Sequence, residues 1–118
     1  MHIAIIGAGI AGLTCARHLL AQGHDVIVYE KGESVGGRTS TRQTELGGFD
    51  HGAQYFTVTS ERFAHEVGTW RKAGRVMPWG GRLVTLDHGV ATPAGRKSEN
   101  ARQRLVAVPG MDALAQHL

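Results

Sequence analysis

The sequence predicts an α/β fold built around a parallel sheet, and three observations in its first thirty residues carry that prediction. His2-Ile3-Ala4-Ile5-Ile6 is a β-branched, nearly uncharged run of strand length. Gly7-Ala8-Gly9-Ile10-Ala11-Gly12 follows at once and spells GxGxxG. Asp25 to Tyr29 then returns to β-branched and aromatic types, and an acid, Glu30, stands eighteen positions past the last glycine. A lone GxGxxG says little. After a strand, opening a helix and followed by that acid, it marks a dinucleotide site.

Each element has its own justification. Residues Ile10 to Gln22 carry helix formers, with Ile10, Leu13, Ala16 and Leu20 at helical spacing on one apolar face and Arg17 at its edge. Gly23 stands where a left-handed cap residue ends a helix. Val26 to Tyr29 has the uninterrupted apolar character of a strand buried on both faces, as in parallel sheets covered by helices. Strand, crossover helix and strand make a βαβ unit of expected right-handed sense. In the turn, Gly7 permits the sharp exit from the strand, Gly9 lets backbone approach a pyrophosphate, and Gly12 lets the helix pack on the sheet. The N–H groups of Ile10, Ala11 and Gly12 then point at the anion. Glu30 is placed to accept from both ribose hydroxyls, and its charge disfavours a 2′-phosphate, which argues against NADP.

Beyond Glu30, residues Lys31 to Ser40 read as a loop. Gly36-Gly37 followed by Arg38 suggests backbone close to a ligand, with a guanidinium for phosphate charge. Ser60 to Gly74 reads as a second helix, N-capped by Ser60, with Phe63, Val67 and Trp70 on its core face. Short strands follow at Arg75 to Met77, Arg82 to Leu86 and Gly89 to Thr92, broken by Pro78, Gly80-Gly81 and Asp87-His88. Ala94 to Ala101 is polar and reads as a mobile loop. Leu105 to Val108 reads as a strand, and Pro109 onward as a helix with Met111, Leu114, Ala115 and Leu118 on one side.

At 118 residues the chain holds one domain's worth of sequence, and its 42% apolar fraction suits a folded core. Charge is uneven, with four basic and five acidic residues up to Thr59, then nine basic and five acidic. The cluster Arg96, Lys97, Arg102 and Arg104 has no aromatic platform or nucleic-acid motif beside it, so a solvated surface is expected and no nucleic-acid partner. Cys15 is the only cysteine, which leaves no intrachain disulfide and suggests a reducing compartment. Its place in the first helix suggests a small buried residue. Met1 to Ala16 lacks a basic leader, is interrupted by glycines and is too short to cross a bilayer, so a cytoplasmic protein without a membrane partner is expected. The six histidines other than His51 show no metal-ligand spacing, and no metal is expected.

The GxGxxG turn, Glu30-Lys31, the Gly36-to-Ser40 segment and Gly47-Gly48-Phe49-Asp50-His51-Gly52-Ala53-Gln54-Tyr55-Phe56-Thr57 together resemble the N-terminus of FAD-dependent amine-oxidase-like flavoproteins. Within these the chain is most similar to the renalase-like bacterial branch; the Phe49-to-Thr57 segment narrows the match, and the resemblance extends to the end of the chain through Pro78-Trp79 and Val108 to Leu114. The resemblance implies a Rossmann-like FAD-binding domain (GR2-type) over 1–58 and the beginning of an inserted, β-rich substrate domain over 59–118. It implies that Gly7, Gly9, Ile10, Ala11 and Gly12 hold the FAD pyrophosphate and that Glu30, with Lys31 beside it, holds the adenosine ribose. Gly37 and Arg38 match a second phosphate-contacting motif. Gly52, Ala53, Gln54 and Tyr55 match a segment beside the flavin ring. Gly52 and Ala53 are small enough to let a flat ring approach, and Gln54 can donate and accept at its polar edge. His51 is expected as a partly exposed loop residue, Phe56 as core.

The implied activity is hydride transfer from an amine or dihydronicotinamide-type substrate to flavin, with dioxygen as acceptor and no catalytic residue assigned. Members of the family are several times longer, so the chain reads as truncated. Its last helix would then lack a partner for its apolar face, and open sheet edges would favour self-association or a partner chain. The alternatives are a non-catalytic nucleotide-binding fragment and an NAD-binding module.

Overall fold

The computed structural model describes residues 1–82, 84–93 and 102–118. Strand β1 (His2–Ile6) pairs in parallel with β2 (Asp25–Tyr29), in register from His2 opposite Asp25 to Ile6 opposite Tyr29. Helix α1 (Ile10–Ala21) makes the crossover, and Gly23, at a φ of +82°, ends it as expected. The strand period of two puts Ile3, Ile5, Val26 and Val28 on a half-buried side facing α1. Ala4, Ile6, Ile27 and Tyr29 lie on the other side, where Ile6 is 83% and Ile27 58% exposed.

Two expectations fail here. β2 is not buried on both faces, because among the described residues α1 covers one face and nothing covers the other. Nor are Leu20 and Cys15 buried in α1. Ala16 is the helix's one buried residue. Cys15 precedes it by about 100° of helical turn and so points away from the sheet.

A single 3₁₀ turn at Gly37–Thr39 leads into a hairpin of β3 (Thr41–Thr44) and β4 (Gly47–Asp50). This hairpin lies outside the expected elements. Its strands are mostly exposed, so they carry no alternation of apolar and polar residues to betray them. Helix α2 (Glu61–Lys72) starts at the expected cap, with the Ser60 hydroxyl accepting the Phe63 N–H at 3.3 Å. Strand β5 (Val76–Pro78) pairs antiparallel with β8 (Leu105–Ala107). Between them stands the hairpin of β6 (Val84–Asp87) and β7 (Val90–Pro93). The expected loop from Ala94 to Ala101 lies outside the described residues. Helix α3 (Ala113–His117) closes the order.

The core lies among α2, β5, β8, the turn before α3 and α3 itself. Val67, Trp70, Val76, Leu105, Ala107, Met111, Ala113 and Leu114 form one buried cluster, with Ile10, Phe56, Val58 and Phe63 packed on its side. Trp70 meets Phe63 and Phe56 edge-on at centroid distances of 5.9 and 6.5 Å, the favourable quadrupole geometry. The expected unpartnered face of the last helix is therefore not found. Ala113, Leu114 and Ala115 are each buried, and the open apolar surface is on the β1–β2 sheet instead.

Candidate dinucleotide-binding site

The turn after β1 is held by backbone groups. Gly7 takes a φ of +97°, which an L side chain resists, and its N–H donates to the Tyr29 carbonyl at 2.7 Å. A Cβ on Gly12 would lie 2.1 Å from the Gly7 carbonyl oxygen and 3.4 Å from Ile5 Cγ2. Glycine there is a demand of helix-on-strand packing. Gly9 differs. Its φ of −76° suits any residue, and a Cβ would meet nothing closer than the Gly36 oxygen at 4.0 Å. No side chain caps α1, and the Leu13 N–H, donating to the Gly9 carbonyl at 3.0 Å, opens its hydrogen-bond ladder. The N–H groups of Ile10, Ala11 and Gly12 are thus left for another acceptor.

The second glycine pair comes to the same place. The Gly36 N–H donates to the Ala8 carbonyl at 2.8 Å, Gly9 and Gly36 form a parallel bridge, and a Cβ on Gly37 would sit 3.6 Å from Gly9 Cα. Segments almost thirty residues apart therefore run side by side. Arg38, exposed beside them, offers its carbonyl to the Ala53 N–H at 2.8 Å. A Cβ on Gly52 would lie 2.2 Å from that same carbonyl oxygen. The small size of Gly52, ascribed above to an approaching ring, is thus required by the Arg38 backbone.

Glu30 braces the turn. One carboxylate oxygen accepts the Ala8 N–H at 2.7 Å, the other the Gly32 N–H at 2.7 Å. These bonds, the Gly32 donor first and then Ala8, hold its pKa below the ordinary value against desolvation, and the Lys31 N–H adds a lesser lowering. Each oxygen keeps a second lone pair, so a further donor can still be accepted. Lys31, next to it, is exposed.

The structure brings together Gly7, Gly9, Ile10, Ala11, Gly12, Glu30, Gly37, Arg38, Gly52 and Ala53 through this chain of backbone contacts. Gln54 and Tyr55 continue from Ala53 and are exposed, as is His51. Tyr55 stacks on Trp79 at 6.1 Å with rings 6° from parallel, and the Arg104 guanidinium lies 4.8 Å from the Tyr55 centroid and 5.9 Å from that of Trp79. Nothing in the spacing of these three residues links them in the sequence; a backbone bond from the Trp79 N–H to the Arg104 carbonyl at 2.9 Å does so in space. Asp50, inside the motif that narrowed the resemblance, is structural. Its Oδ1 accepts the Thr41 hydroxyl at 2.6 Å and the Met111 N–H at 2.9 Å, joining β3 and β4 to the turn before α3. Among the described residues no group of acids, histidines or cysteines could hold a metal ion, and no helix is long and apolar enough to cross a membrane.

The chain is similar to known proteins. The chain is 48% identical over 52 residues to a 4,4'-diapophytoene desaturase of Staphylococcus haemolyticus, covering 44% of this chain and 10% of the desaturase. It is 36% identical over 87 residues to AofH of Mycobacterium tuberculosis, assigned as a flavin-containing monoamine oxidase, covering 67% of this chain and 19% of that one. The solved structure of cyclohexylamine oxidase from Brevibacterium oxydans superposes with a TM-score of 0.56 at 32% identity, over 77% of this chain and 21% of the oxidase. The chain thus spans a tenth to a fifth of the length of these relatives. The model of the NAD(P)-binding Rossmann-like domain matches residues 5–67, which holds the end of β1, the glycine turn, α1, β2, Glu30 and the Gly36-Gly37 crossing just described. With its glycine turn, crossover helix and bracing acid inside that match, the chain belongs to the family of NAD(P)-binding Rossmann-like domains.

Proposed function

We propose that this chain is the cofactor-anchoring portion of an FAD-dependent oxidoreductase of the renalase-like, amine-oxidase-related kind, acting in the cytoplasm on a small molecule. The observation that carries the reading is Gly9. Its backbone conformation and its surroundings tolerate a Cβ, so the protein's own packing does not account for a glycine. A ligand lying against the backbone does, and the open N–H groups of Ile10, Ala11 and Gly12 beside it suit a pyrophosphate. Glu30 would meet the adenosine ribose, Arg38 a phosphate charge, and Gln54 and Tyr55 the ring end. Residues 1–58 would hold the cofactor, and 59–118 would begin the substrate side.

When bound, FAD would supply the acceptor for a hydride from an amine or dihydronicotinamide-type substrate and pass the electrons on to dioxygen. The residues of this chain bind and orient. The glycine turn fixes the phosphates, Glu30 fixes the ribose and holds the turn shut, and Gly52-Ala53, pinned to the Arg38 backbone, set the height of the following segment.

Purified chain titrated with FAD tests this through the visible flavin band of the retained cofactor. Gly9→Ala should weaken retention sharply while leaving the far-UV circular dichroism unchanged, because the added Cβ meets nothing closer than the Gly36 carbonyl oxygen at 4.0 Å. Stabilisation by NAD without flavin retention would favour an NAD-binding module. Retention unaffected by Gly9→Ala would overturn the assignment of the site.

A further inference from the structure

We propose that Arg104, stacked on Tyr55 and Trp79, selects substrates that carry a carboxylate or phosphate group beside a flat apolar body. The anion site stands on its own geometry; that its occupant is the substrate rests on the cofactor reading above, which puts Tyr55 at the ring end. The three residues come from separate segments, and backbone bonds fix them in place. One edge of β8 is bridged to Phe56, with the Phe56 N–H donating to the Leu105 carbonyl and the Leu105 N–H to the Phe56 carbonyl, both at 2.9 Å. Its other edge pairs with β5, and the bond from the Trp79 N–H to the Arg104 carbonyl extends that pairing. Trp79 also lies against Gly81, where a Cβ would stand 2.5 Å from the indole Cζ2. Gly81 has no positive φ, so the indole, and not the turn, demands glycine there.

The chemistry of the occupant follows from which groups are engaged and which are left. Tyr55 is 42% and Trp79 40% exposed, so two rings in nearly parallel planes keep open apolar surface. Arg104 is half-buried over both rings and makes no ion pair among the described residues. Stacking engages the flat face of a guanidinium and leaves its N–H donors at the edge. Those donors match the paired oxygens of a carboxylate or phosphate. An ammonium finds the opposite situation. It meets a cation of its own sign, and the ring faces that would attract it already hold one.

The test uses the full chain, ¹⁵N-labelled and without FAD, with phenylacetate and phenyl phosphate as anionic probes and benzylammonium and phenylacetamide as controls. The signals followed are the Trp79 indole N–H, assigned by its loss in Trp79→Phe, and the Arg104 Nε–H, assigned by its loss in Arg104→Gln. At least one anion should move both signals saturably, and the tighter of the two names the group, while the controls should leave them still. Arg104→Gln should weaken the Trp79 response by about tenfold or more, with Arg104→Lys between it and the parent, and the dispersion of the other amides should show both variants folded. Gly9→Ala, which should weaken flavin retention, should bind the anion as the parent does, so a failure of the cofactor reading is told apart from a failure of this site. With FAD retained, the bound anion should shift the flavin band, and a band that stays unchanged would overturn the role in substrate selection. Parent signals that stay still with both anions, signals that move equally with benzylammonium, or a Trp79 response unchanged in Arg104→Gln would overturn the site itself.

Discussion

The two ends of this chain are held together by different means. From His2 to Ala53 the only buried apolar side chains are Ala8 and Ala16, and the structure rests on a parallel strand pair, glycine contacts and backbone bonds from Gly7, Ala8, Gly36 and Ala53. From Phe56 onward the structure rests on packing, with Val67, Trp70, Val76, Leu105, Met111 and Leu114 in one cluster. The difference separates recognition from stability. Backbone donors and small residues make a surface that a phosphate can approach, and they leave little apolar area with which to hold it. Packed side chains stabilise the other end through buried apolar area.

The largest expected effect tests the packed end. Trp70→Ala removes the ring on which Phe56 and Phe63 stand edge-on. It should cost about 3–5 kcal/mol, a large share of the roughly 5–15 kcal/mol by which domains are stable. Urea unfolding followed by circular dichroism measures it. A loss under about 1 kcal/mol would mean that the cluster is not where stability resides.

A subtler effect tests the backbone-held end. The folded pKa of Glu30 is depressed by its bonds to Gly32 and Ala8. A group whose folded pKa lies below its unfolded one contributes stability above the ordinary value, 4.5, and loses it as pH falls through the folded value. The turn should therefore be firm at neutral pH and loosen on acidification below that range. The protection of the Ala8 and Gly32 amides, taken as exchange relative to the intrinsic rate at each pH, should fall there, and Glu30→Gln should abolish that fall without unfolding α2. Protection at those two amides that does not change with pH in the parent chain would show that Glu30 is not the brace.

How far the sequence carried follows the same division. The βαβ unit was legible because glycines, a strand-length apolar run and helical spacing are local signals, and the stops at Gly23 and Gly74 are fixed by their own backbone preference. The Ser60 cap and the Phe63, Val67, Trp70 face were legible for the same reason. What was not legible depends on segments distant in the chain. Nothing near Gly52 says that the Arg38 carbonyl will lie against it, and Tyr55, Trp79 and Arg104 meet only once β5 pairs with β8. The polar, exposed strands of β3 and β4 carry no periodicity to read. Burial was misjudged at Cys15, Leu20, Ile27 and Leu114 because a residue's type sets its preference for burial, whereas the neighbouring elements decide whether it is covered.

Ile27 gives the comparison its smallest and sharpest test. Like Trp70 it is a large apolar residue in a regular element, yet it is 58% exposed on the open face of β2 beside Tyr29. Ile27→Thr keeps a β-branched side chain, so strand preference is retained while apolar surface is removed. Little packing is lost, and the stability of the chain should change by less than about 0.5 kcal/mol. What should change is association. With Ile6 83% exposed on the same face, the sheet presents apolar surface to a second copy, and removing Ile27 should lower any concentration-dependent increase in mass seen by light scattering. A destabilisation approaching that of Trp70→Ala would mean that the open face is covered in solution. The contrast between a packed end and a backbone-held end would then have to be redrawn, with the sheet as part of a buried interface.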